Sequence, residues 1–151
     1  MRIVVAVASL LVMAHDAVAQ SFCADLNRVV PLARWRFWSI RDEANRREFK
    51  TRVTRNLPGA SECWYQDASR AYWCAWRVTP SERKDEVARL ANAIGQCDRV
   101  RHAYSDDSVD ETIVFTDLPG SVSIHVNGAG ETVTISIGST FSIPEPYPQA
   151  P

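Results

Sequence analysis

The chain has no Gly-x-Ser-x-Gly elbow, no phosphate-binding glycine loop and no dinucleotide fingerprint. Those absences exclude the recognisable forms of serine hydrolase, nucleotide hydrolase and dehydrogenase. Histidine is scarce: beyond the first twenty residues there are only His102 and His125, neither with a nucleophile next to it. No Cys-x-x-Cys pair exists, which removes the usual spacing of a zinc site or a dithiol redox centre. Asp106, Asp107, Asp110 and Glu111 form an acidic cluster, but the twelve-residue calcium pattern with its central glycine is missing. No apolar run is long enough to cross a bilayer. The sequence therefore names no catalytic residue, metal or cofactor.

What is present begins with a leader. Arg2 supplies a positive start, Ile3 to Met13 are apolar, and Ala17-Val18-Ala19 fits the small-x-small cleavage signal. Residues 1–19 read as a signal peptide and 20–141 as a single domain. Residues 142–151 read as a proline-rich tail. The expected location is the periplasm or the exterior. There the four cysteines, Cys23, Cys63, Cys74 and Cys97, would form two disulfides. Charge is uneven. Residues 20–78 hold 11 Lys/Arg and 6 Asp/Glu, whereas residues 79–151 hold 5 and 11. The basic half can meet an anionic partner or complement the acidic half.

The triplet Leu57-Pro58-Gly59 recurs as Leu118-Pro119-Gly120, an offset of 61. At the same offset Thr51, Val53, Cys63 and Tyr65 fall on Thr112, Val114, Ile124 and Val126. This predicts two α-β-β-β units, about 22–78 and 79–138. Together they make a two-layer α+β domain whose antiparallel sheet packs on two helices. Phe22 to Arg41 reads as a helix kinked at Pro31. Phe22, Leu26, Val29, Val30, Ala33, Phe37 and Ile40 form its buried stripe. Asp42 to Glu48 reads as the end of that helix or a loop, and Phe49 to Arg55 as a strand. A hairpin follows that pairs Cys63 with Cys74, Trp64 with Trp73, Tyr65 with Tyr72 and Asp67 with Arg70. That register favours a Cys63–Cys74 bridge, leaving Cys23–Cys97, with the two other connectivities open. Thr79-Pro80-Ser81-Glu82 reads as the capping box of a second helix. Ser105 to Glu111 reads as an acidic loop. In the second hairpin Ile124 is expected opposite Ile135, with Asn127-Gly128-Ala129-Gly130 as the turn.

Alternation sorts the surfaces. Val122, Ile124, Val126, Val133, Ile135 and Ile137 share a core face. By the same alternation Cys63, Tyr65, Tyr72, Cys74 and Trp76 point inward, and Trp64 and Trp73 face solvent. On the first helix Trp35 and Trp38 lie opposite the buried stripe, with Arg34 and Arg41 beside them. Tryptophan and arginine are typical binding anchors. The candidate binding residues are thus Trp35, Trp38, Arg34, Arg41, Trp64 and Trp73.

Cys23 in an opening helix, Leu57-Pro58-Gly59-Ala60 before Cys63, Tyr72-Trp73-Cys74-Ala75-Trp76, and Cys97 closing the second helix resemble small exported bacterial proteins of unknown role. The element order also resembles the type III secretion chaperone fold, whose members are cytosolic and often dimerise. The combined expectation is a non-enzymatic interaction protein. It would bind a protein or an envelope component through a Trp/Arg surface, with no nucleic acid, no stable membrane insertion after leader removal, and a homodimer as one form. A hydrolase assembled from dispersed residues and a small-ligand carrier are the alternatives.

Overall fold

The computed structural model describes residues 21–97, 102–106, 112–118 and 122–139. The leader, the cleavage point before Gln20, Asp107 to Glu111 and the tail from 142 lie outside the described residues.

An α-helix, α1, covers residues 21–29. The expected helix to Arg41 does not form. From Val30 to Trp35 the backbone tightens into a 3-10 helix with Pro31 in its first positions. A second 3-10 turn covers Trp38–Ile40. Between them Arg36 and Phe37 both adopt left-handed backbone angles, φ 51° and 58°. The expected buried stripe survives the change of helix type, because all seven of its residues are at most 5% exposed.

Strands β1 (Arg41–Arg47), β2 (Lys50–Val53), β3 (Glu62–Gln66) and β4 (Ala71–Arg77) follow. Next come helix α2 (Arg83–Gly95) and strands β5 (His102–Asp106), β6 (Thr112–Leu118), β7 (Val122–Ala129) and β8 (Thr132–Ser139). Four strands follow each helix, not three. β1 occupies the expected loop at 42–48. Ser105 and Asp106, expected in the acidic loop, lie in β5. The eight strands form one antiparallel sheet in the order β1-β2-β3-β4-β8-β7-β6-β5. Each run of four is a meander, and β4 and β8 join the two.

Leu57-Pro58-Gly59 is a tight turn. Leu57 is buried, and the Ala60 N–H donates to its carbonyl at 3.2 Å. Proline before a residue at positive φ is the type II pattern, and Gly59 has φ +76°. A Cβ there would also lie 3.4 Å from the Trp76 Nε1. The positive φ is what requires glycine here, since that distance is an ordinary contact.

The first hairpin keeps the expected register: Cys63 opposes Cys74, Trp64 opposes Trp73, and Tyr65 opposes Tyr72. Pairing stops at Gln66 and Ala71, so residues 67–70 form a four-residue turn with Arg70 at φ 53°. Asp67 does not pair with Arg70; it meets Arg46 and Arg41. The second hairpin slips by two residues from expectation. Ile124 opposes Ile137, and Val126 opposes Ile135. Gly130 at φ +57° permits a two-residue turn at Gly130-Glu131, so the strands extend past Asn127. A slip of two preserves which face each side chain occupies, and the predicted inner wall is intact.

One core collects α1, α2 and the inner wall, with Tyr72, Cys74, Ile124, Val126, Val133, Ile135 and Ile137 all fully buried. Helix α2 contacts β6, β7 and β8. The expected capping box does not cap α2, which starts at Arg83 after Glu82 with no side-chain cap; Thr79 to Glu82 form a turn in which the Thr79 N–H and Oγ1–H both donate to Glu82 Oε2, at 3.1 and 2.7 Å. Two disulfides close the frame, Cys23–Cys97 across 74 positions and Cys63–Cys74 across 11. No helix among the described residues is long and apolar enough to cross a membrane.

Candidate interaction surface

Two consecutive left-handed residues without glycine are costly, about 1–2 kcal/mol each. Phe37 shows what offsets the strain. Its ring is fully buried and packs on Tyr72 at 5.6 Å and Tyr65 at 6.1 Å between centroids. Driving Phe37 inward at this bend turns its neighbours outward. Trp35 is 59% and Trp38 47% exposed.

Arg41 was expected on the surface beside them. Instead its side chain is only 6% exposed. Its backbone pairs with Val53, which sends the side chain to the inner side of the sheet edge. The guanidinium sits between two rings, 4.5 Å from the Trp38 centroid and 4.3 Å from that of Tyr65. Such cation–π contacts contribute about 0.5–2 kcal/mol as solvent is excluded. Arg41 Nη2 also bonds Glu43 at 2.6 Å and reaches Asp67 at 3.5 Å, and Arg46 holds the other Asp67 oxygen at 3.1 Å. Arg41 is therefore a clamp that fixes Trp38. Arg34 is exposed at the end of its 3-10 helix.

Trp64 and Trp73 form a stacked pair, with centroids 6.2 Å apart and planes 11° from parallel. Both are half-buried rather than freely exposed. The Lys50 ammonium lies 4.1 Å from the Trp64 ring centroid, and the Trp73 Nε1–H donates to Ser69 Oγ at 3.1 Å. These indoles alternate with the inward Tyr65, so they occupy the opposite sheet face from the Trp38–Arg41–Tyr65 stack. The six candidates thus form two separate sets, and only Trp35 and Trp38 offer open apolar area.

Phe49 was missed by sequence reasoning. It is 67% exposed, the most open large hydrophobic among the described residues. It occupies the β1–β2 turn with Glu48, which has φ 41°. Its position in a polar stretch between Arg47 and Lys50, outside every apolar stripe, was the available signal.

Among the described residues no group of three or more His, Cys, Asp or Glu could hold a metal ion. Asp42, Arg52, Val53, Thr54 and Asn56 line an open groove of about 510 Å3. Its lining is mostly polar, unlike the apolar cavity a lipophilic carrier needs. His125 lies on the polar face of the sheet with its Nε2 3.2 Å from Ser123 Oγ. Burial holds its imidazole below the ordinary value. His102 opens β5. No family model matches the chain, and no curated protein or solved structure matches it either.

Proposed function

We propose that this chain is an exported, disulfide-stabilised interaction protein of the periplasm or exterior. It engages a protein or envelope component through a Trp/Arg surface and performs no catalysis. We read its frame as two copies of one unit, with the helices forming a layer on one face of the sheet. The spacing of elements supports this: Arg41 and His102, which open β1 and β5, are 61 apart, as are Ala71 and Thr132, which open β4 and β8.

The observation that carries the reading is the strained bend at Arg36 and Phe37, which displays Trp35 and Trp38 beside Arg34. Exposed aromatics held rigidly are the usual core of a contact site. The test is capture from a solubilised envelope fraction with the full chain and its Trp35→Ala/Trp38→Ala variant. The expected result is at least about thirty-fold weaker capture, the loss typical of a hot spot, with a stability loss no larger than the about 0.5–2 kcal/mol of the Trp38–Arg41 contact. Equal capture by both forms overturns the reading. Self-association lost in the same variant would identify the partner as a second copy.

A hydrolase is the second reading, and the Ser123–His125 contact is what favours it. A serine-reactive phosphonate that labelled the wild type and not Ser123→Ala would establish it. Unlabelled wild type would remove it.

A further inference from the structure

Exposed aromatic area and surplus positive charge occupy the same stretch of this chain. Residues 34–55 contain eight Lys/Arg and three Asp/Glu, a net +5. The same residues contain Trp35, Trp38 and Phe49, the exposed large hydrophobics among the described residues. Short contacts join the two ends of the stretch. The Trp38 ring lies over Arg41, Arg41 and Arg46 share Asp67, and the Asp67 N–H donates to the Phe49 carbonyl at 3.2 Å. Glu43 is held by Arg41, and the exposed cations Arg34, Arg46, Arg47, Lys50, Arg52 and Arg55 outnumber the exposed carboxylates Glu43 and Glu48.

Phe49 is the informative residue. Arg47 pairs with Lys50 across the turn, so the phenyl ring shares the hairpin tip with Glu48 above a base of two cations. A protruding ring flanked by positive charge matches a fluid surface: the ring enters the headgroup layer while the cations meet phosphates.

We infer that this chain docks peripherally on an anionic lipid surface, with the β1–β2 hairpin tip as the point of entry. The inference rests on the Trp/Arg surface proposed above and names its partner.

Co-sedimentation with phosphatidylcholine vesicles, with and without phosphatidylglycerol, tests it on the full chain. Binding is expected only to the anionic vesicles and weakens with added salt. Phe49→Ser should reduce partitioning about ten-fold or more. Arg47→Gln should reduce it about five-fold, whereas Arg77→Gln, the same charge change on β4, should change it less than about two-fold. Equal binding to both vesicles, indifference to Phe49→Ser, or equal effects of Arg47→Gln and Arg77→Gln would overturn the inference. If vesicles fail to bind while envelope capture still depends on Trp35 and Trp38, the lipid partner is wrong and the surface reading stands. If both fail, both fall.

Discussion

The left-handed bend at Phe37 gives a prediction whose sign is unusual. At an ordinary buried position glycine is worse than alanine. At Leu26, mid-way along α1 and 1% exposed, Leu26→Gly should cost about 1 kcal/mol more than Leu26→Ala. At Phe37 the order changes. Deleting the ring costs about 3–5 kcal/mol in either variant, because a fully buried aromatic leaves a cavity. Alanine retains the steric penalty of a left-handed residue, about 1–2 kcal/mol, and glycine removes it. Glycine gains unfolded-state entropy in exchange, about 0.5–1 kcal/mol. Phe37→Gly should therefore equal Phe37→Ala or be milder by up to about 1.5 kcal/mol, by the difference of those two ranges. Urea unfolding with the disulfides intact measures both. With a slope of roughly 2 kcal/mol per molar, the ring deletion moves the midpoint by about 2 M. If Gly is about 1 kcal/mol worse than Ala at both positions, the bend is unstrained and the account of Trp35 and Trp38 fails with it.

In the chain-entropy model the Cys23–Cys97 bridge, which closes 74 positions, contributes about 4.4 kcal/mol. Cys23→Ala/Cys97→Ala should lower the urea-extrapolated stability by about that amount, and a loss under about 1 kcal/mol would refute the model here. His125 is held low by burial, so the unfolded chain takes the proton first. Its contribution is fully present above the unfolded value of about 6.5 and declines as pH falls from there toward the folded pKa. His125→Gln should flatten that limb of a melting-temperature profile, and an unchanged profile would count against it. The Glu82 carboxyl is held low by its hydrogen bonds to Thr79. Stability from these turn bonds is present above the ordinary carboxylate range and disappears as pH falls through the folded value, a dependence that Glu82→Gln should remove.

Much of the frame was legible because hydrophobic periodicity outlives local detail. The stripe from Phe22 to Ile40 is buried even though half of it is 3-10 helix. The like-with-like pairs of the first hairpin fixed its register and brought Cys63 to Cys74. Strand β1 was hidden because it sits on the sheet edge, carries Arg, Asp, Glu and Asn in place of alternation, and shifts register between Asp42 and Arg46. The second hairpin misled because one glycine at positive φ, Gly130, moved the turn. For the candidate surface, helical angles placed Trp35 and Trp38 outward correctly. They misplaced Arg41, which a long-range pairing with Val53 pulls inward. Phe49 was passed over because a lone aromatic beside a turn carries no periodic signal.

The Cys23–Cys97 bridge encloses every residue from 24 to 96, including the whole β1–β2 hairpin and its basic tip. A protease cutting after Arg47 or Arg55 would open the backbone without releasing either piece, since both flanking segments remain tied through the two sulfurs. The protein can thus survive, as one covalent body, a nick in the very loop it exposes most.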